Sequence, residues 1–132
     1  MHQHARTITQ EFKDCIAACL ACAEICNECG DDMIGMLQPG SLDRQPIGQD
    51  LMQRCIRLCR DCGDICFLAA AWMSRVSPLS EKLCQVCAEV CDLCAEVCEQ
   101  HAPQHELCGP CARECRRCAD ACRRMTARSR AA

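Results

Sequence analysis

Nineteen of the chain's 132 residues are cysteine, and within four blocks each follows the last by three or four positions. The blocks are Cys15, Cys19, Cys22, Cys26 and Cys29; Cys55, Cys59, Cys62 and Cys66; Cys84, Cys87, Cys91, Cys94 and Cys98; and Cys108, Cys111, Cys115, Cys118 and Cys122. Such steps trace one stripe along an α-helix, the place leucine takes along the seam of a coiled coil. The alternation by two that marks a strand is missing from all four blocks. A chain built this way folds as helices that turn their thiols inward.

The residues between the blocks agree with four helices at about 7–37, 47–75, 78–101 and 104–125. Thr7 with Gln10 has the spacing of a capping box, and "QPGSLDRQP" at 38–46 breaks the chain after the first helix. Ser77 followed by Pro78 reads as an N-cap with a first-turn proline for the third helix. "EQHAPQHE" separates the third helix from the fourth, and the last basic stretch, "RRMTARSR", reads as a frayed end. Short connections between four amphipathic helices predict an all-α, antiparallel up-down-up-down bundle with a cysteine-lined core. The length suits one domain over residues 1–132.

Composition explains why sulfur must fill that core. Half the residues are classed as hydrophobic, but setting the 19 cysteines aside leaves roughly 36%, against a usual share of about 45–50%. Phe12, Phe67 and Trp72 are the three aromatic residues. A net charge of −3 excludes nucleic acid as the main partner. No apolar run is long enough to cross a membrane. "MHQHARTITQEF" carries neither an apolar export segment nor paired arginines, so the expected location is the cytoplasm. Thiols stay reduced there, and dense cysteine then signals metal or redox chemistry rather than disulfides.

Neighbouring stripe residues have Cβ atoms about 5–6 Å apart, within reach of a shared ion at metal–sulfur distances of about 2.3 Å. A five-cysteine stripe is roughly 21 Å long at 1.5 Å per residue. Closing four stripes against each other lines a narrow tube with sulfur. Soft thiolates select Cu(I), zinc or iron–sulfur clusters. One monovalent ion per thiolate leaves a dry interior near neutrality, whereas zinc on four thiolates leaves −2 at every site. Charge therefore favours many Cu(I) ions per chain; Ag(I) satisfies the same argument.

Stepping onward from the stripes reaches Met33 and Met36 beyond Cys29, Met52 before Cys55, His101 beyond Cys98 and His105 before Cys108. In an up-down bundle these five share one end, where thioether and imidazole would pass ions inward. At the other end Ile8, Phe12, Phe67, Trp72, Leu79 and Leu83 are expected to form a hydrophobic plug, with Trp72, Met73 and Met125 as core or surface.

The rival readings are weaker. "CGPC" at 108–111 copies a dithiol exchange motif without its βαβ surroundings, and Pro110 either starts the fourth helix or kinks it. The cysteine run of a ferredoxin is missing. No nucleophile–base pair or open catalytic metal site is visible, so the chain is not read as an enzyme. A metallothionein-like buffer for zinc or heavy metals stays open, and behind it a thiol–disulfide redox protein.

"CAEICNEC", "CIRLCRDCGDIC", "CQVCAEVCDLCAEVC" and "CARECRRCADAC" resemble the cytosolic branch of the cysteine-rich four-helix-bundle copper storage proteins, over nearly the whole chain. The resemblance implies Cu(I) storage inside the bundle, and copper homeostasis as the role. It makes all nineteen cysteines ligands, with His101, His105, Met33, Met36 and Met52 as carry-overs at the mouth. It also implies homotetramers of bundles, served by copper-donating or copper-accepting proteins.

Overall fold

A computed structural model describes residues 9–36 and 49–131. They form four helices: α1 (Gln10–Gly35), α2 (Gln49–Ser74), α3 (Ser80–His101) and α4 (Cys108–Ala131). Each helix packs on the next in sequence, α4 packs back on α1, and the diagonals face each other across the sulfur. Paired residue numbers run in opposite directions, Cys15 against Cys122 and Cys29 against Cys108 on α1 and α4. Cys55 against Cys98 and Cys66 against Cys87 repeat this on α2 and α3. The bundle is the expected antiparallel one.

The interior is made of small side chains. All nineteen cysteines are buried and none is more than 1% exposed. The alanines beside them, among them Ala23, Ala69, Ala95 and Ala119, are buried as well. Cysteine here replaces the leucine of an ordinary bundle as a small hydrophobe, and helices filled by small residues come close together. Gly63 marks the tightest approach, since a Cβ there would lie 2.8 Å from Asn27 Oδ1 on α1, and one at Gly30 would lie 3.4 Å from the Cys59 Cβ on α2. Outside, Arg116 reaches both Asp92 and Glu99, and Arg123 pairs with Asp92, tying α3 to α4. These pairs are solvated and contribute little to stability.

Helix ends differ from the sequence expectations in ways the local chemistry explains. Thr9, not Thr7, caps α1: its hydroxyl accepts the Phe12 N–H at 3.2 Å. Thr7 itself lies outside the described residues, as does the 38–46 break. Ser77 does not cap α3. Its hydroxyl accepts the Leu79 N–H at 3.2 Å inside the turn, and α3 begins only at Ser80.

The end of α2 occupies that turn. Ser77 N–H reaches back to the Trp72 carbonyl at 2.9 Å and Val76 N–H to that of Met73 at 3.1 Å. This is the Schellman arrangement, and it forces Val76 to a φ of 52°. Pro110 starts α4 rather than kinking it: it is the third helical residue, in a turn whose N–H groups have no intrahelical acceptor anyway. Residues 102–107 form turns, so α4 starts four residues later than expected. It then continues through the basic stretch to Ala131, where alanine and arginine are good helix formers.

Candidate metal centre

The seam cysteines arrive in the lumen because each block keeps phase with its helix, and the four blocks meet at matching heights. Cys118 donates to Cys19 at 3.5 Å, and Cys22 lies 3.7 Å from both Cys62 and Cys115. Cys26 is 3.6 Å from both Cys111 and Cys115, while Cys66 is 3.7 Å from Cys87 and from Cys91. The result is a continuous ladder of sulfur.

Several rungs place four sulfurs within 4.8 Å of one another, including Cys19, Cys66, Cys87 and Cys118; Cys22, Cys26, Cys62 and Cys115; and Cys29, Cys59, Cys98 and Cys111. Neighbouring rungs share members, so an ion bound at one is a short step from the next. All nineteen cysteines are free thiols, which disposes of a disulfide framework.

The "CGPC" pair is divided by the helix it begins. Cys108 meets Cys29 and Cys55, while Cys111 meets Cys26 one rung further in. Thioredoxin-like exchange needs the two sulfurs poised together at a surface, and both are wholly buried.

Protons in this lumen are shared unevenly. Hydrogen bonds from Cys115, Cys118, Cys26 and Cys62 pull Cys22 below the ordinary thiol range. Those from Cys108, Cys29 and Cys59 draw Cys55 down to about 4. Cys26 is pushed up by its bonds to Cys111, Cys115 and Cys22, and by burial. A thiolate that accepts several S–H donors is stabilised, and each donor is thereby held protonated. Which neighbours bond to a thiol thus sets the direction of its shift, while burial opposes charge on all of them.

At the end where α1 and α3 finish, the two histidines converge on one thiol. His101 Nδ1 is 3.4 Å from Cys108 Sγ and His105 Nδ1 is 3.2 Å from it. The rings stack with centroids 5.5 Å apart. Asp32 accepts from His105 Nε2 at 2.7 Å, which leaves the Nδ1 lone pair of the neutral ring turned toward Cys108. Met33 and Met52 are fully buried at this end, and Met36 caps α1, half-buried.

Sequence reasoning missed Asp32, although it lies three residues past Cys29 on the same stripe. The expected plug at the opposite end forms only in part, with Phe12 and Leu83 packed against the core. Phe67 and Leu79 are 46% and 49% exposed, and Phe12, Trp72 and Leu83 are half-buried; Ile8 is outside the described residues. The buried residues there are Ala70, Met73, Ser80 and Met125. Each continues a stripe by three or four, the signal already used at the histidine end, whereas Phe67 stands one residue off the stripe.

The sequence profile of the copper storage proteins matches residues 8–127, most of the chain. The chain belongs to the copper storage protein family. The Cu(I)-bound copper storage protein BsCsp3 of Bacillus subtilis is 35% identical. It superposes with a TM-score of 0.74 over 89% of this chain and 99% of that one. A cytosolic copper storage protein from Streptomyces lividans, solved with five coppers, is 34% identical. Its TM-score is 0.76, over 89% of this chain and 93% of that one. The Bacillus subtilis cysteine-rich protein YhjQ is 36% identical over 80 residues, 61% of this chain. That match spans 65% of YhjQ, less than two thirds of its length. Members of a copper storage family are metal carriers rather than enzymes, and the sulfur ladder fits that role.

Proposed function

We propose that this chain stores and buffers Cu(I) in the cytoplasm, holding many ions on the thiolates of all nineteen cysteines. The observation that carries the reading is the continuity of the ladder. Rungs that share members suit a cluster of low-coordinate ions, whereas isolated tetrahedral sites need four ligands of their own. Electrostatics supports the same choice. Among the described residues no lysine, arginine, aspartate or glutamate is buried, so nothing offsets the charge that zinc tetrathiolate centres would leave in the lumen. The relatives of known structure support it too, one named as Cu(I)-bound and one as loaded with copper.

Ions load at the histidine end. His101 and His105 supply imidazole nitrogen, Met33, Met36 and Met52 supply thioether sulfur, and Cys108 receives the ion at the head of the ladder. We assign residues 1–132 to one storage domain. The apolar side chains left outside, Leu20, Phe67, Leu68, Val86 and Leu93, each 43–50% exposed, support assembly of bundles into a homo-oligomer, with the tetramer as the family's form. A copper-donating or copper-accepting protein would meet the mouth.

Competition tests the choice of metal. Reduced protein offered Cu(I) and Zn(II) together, each buffered by its own chelator, takes up Cu(I) and excludes zinc. Preferential retention of about four or five zinc ions per chain would replace this reading with the metallothionein-like one.

A further inference from the structure

The end of the bundle farthest from the histidines also carries soft ligands. Cys15 and Cys122 lie 3.6 Å apart, and Cys84 points its S–H at the Met73 thioether, Sγ to Sδ 3.7 Å. Met73 is fully buried, so its sulfur contributes nothing to the surface. Two sulfurs at that separation span one ion at ordinary metal–sulfur lengths of about 2.3 Å. One thiolate and one neutral thioether make the ion–ligand pair neutral.

A groove of about 470 Å³ runs between α3 and α4 and ends on this cluster, lined by Cys84, Gln85, Glu89, Cys122, Arg123 and Thr126. The Thr126 hydroxyl is buried in its wall with no hydrogen-bond partner, and that of Ser80, at the start of α3 and outside this groove, is likewise unpaired. A buried hydroxyl left without a partner is unfavourable. A hydrated ion, or the small anionic ligand that carries one, would satisfy the hydroxyl that faces the groove. Cys84 and Cys122 remain fully shielded behind that wall, so the barrier between groove and ladder is side chains alone.

We propose that this end holds a terminal exchange site for Cu(I), ligated by the Cys84 thiolate and the Met73 thioether and reached through the α3–α4 groove. The proposal rests on Cu(I) as the stored ion. A thioether is a weaker donor than a thiolate, so an ion here is held less firmly than one among four cysteines. The ladder then has a second door, at the end where a hydrophobic plug is expected from sequence. The incoming ion displaces the Cys84 proton, which leaves through the groove; no electron is transferred.

Crystals of the full chain saturated with Cu(I) under anaerobic conditions test the ligands directly. Anomalous maps at the copper edge place an ion within bonding distance of both Met73 Sδ and Cys84 Sγ. A filled ladder with no copper on Met73 overturns this proposal and leaves the storage reading standing; a protein that takes up no copper overturns both. Access is tested separately with Ala127→Trp, a change at an exposed position of the groove wall that leaves every sulfur in place. Withdrawal of Cu(I) by a small chelator slows several-fold in this variant, at unchanged capacity and helicity. An unchanged rate overturns the groove as the route.

Discussion

Asp32 is 58% exposed, yet its carboxylate reaches the lumen through the His105 ring. By accepting the Nε2 proton it fixes the tautomer whose Nδ1 faces Cys108, the arrangement that orients imidazole ligands in metal sites generally. Asp32→Ala leaves the fold intact, because the side chain is solvated, and lowers Cu(I) affinity at the histidine end about tenfold. Chelator competition checks this, followed at the ions whose binding moves the His105 ring resonances. Cys62 makes the opposite case, deep inside and in contact with Cys22, Cys66, Cys91 and Cys115. Cys62→Ala removes about one ion from the capacity and costs the reduced apoprotein about 1 kcal/mol. Cys62→Ser costs more, about 1–3 kcal/mol, because a hydroxyl among sulfurs lacks a good partner. Urea unfolding of the reduced apoprotein orders the two.

At the scale of the helices, what could be read from sequence was what obeys a period. Four stripes gave four helices, their order around the bundle and the phase of every lumen residue. The same stepping reaches Met73 and Met125 from Cys66 and Cys122, and Asp32 from Cys29. Sequence reasoning places Met73 and Met125 only as core or surface and misses Asp32, because large apolar residues draw attention to Phe67 and Leu79, which lie off the stripes. Helix ends were less legible, since a cap depends on which of several close candidates attains the right backbone geometry. Thr9 and Thr7 both offer a hydroxyl; Ser77 offers one as well, but it serves the Leu79 N–H in the turn before α3 begins. That same ending holds Val76, a β-branched residue, in the left-handed region at φ 52°, a conformation that disfavours all but glycine by about 1–2 kcal/mol. Val76→Gly therefore stabilises the apoprotein by about 0.5–1 kcal/mol after loss of its partial burial. A rise in the urea midpoint with an unchanged slope would show it.

Taken whole, the molecule is a reservoir whose occupancy is tied to protons. Thiols such as Cys26, held above their ordinary range, carry a proton at neutral pH that the ion must displace. Lowering the pH therefore favours release, by about tenfold in affinity per pH unit for each proton displaced. Cys55, drawn down to about 4, joins this competition only as the pH falls toward that value. Release into a chelator should thus be graded between pH 7 and pH 4, with protons appearing in solution as copper is loaded. Helicity should change little on loading, because the sulfur rungs are already assembled without the cargo. The most direct measurement is anaerobic titration of the reduced chain with Cu(I) against a competing chelator, counting the ions that the protein withholds. Uptake of many ions per chain before any reach the chelator is the result expected of a sulfur-lined store; saturation at one or two would contradict it.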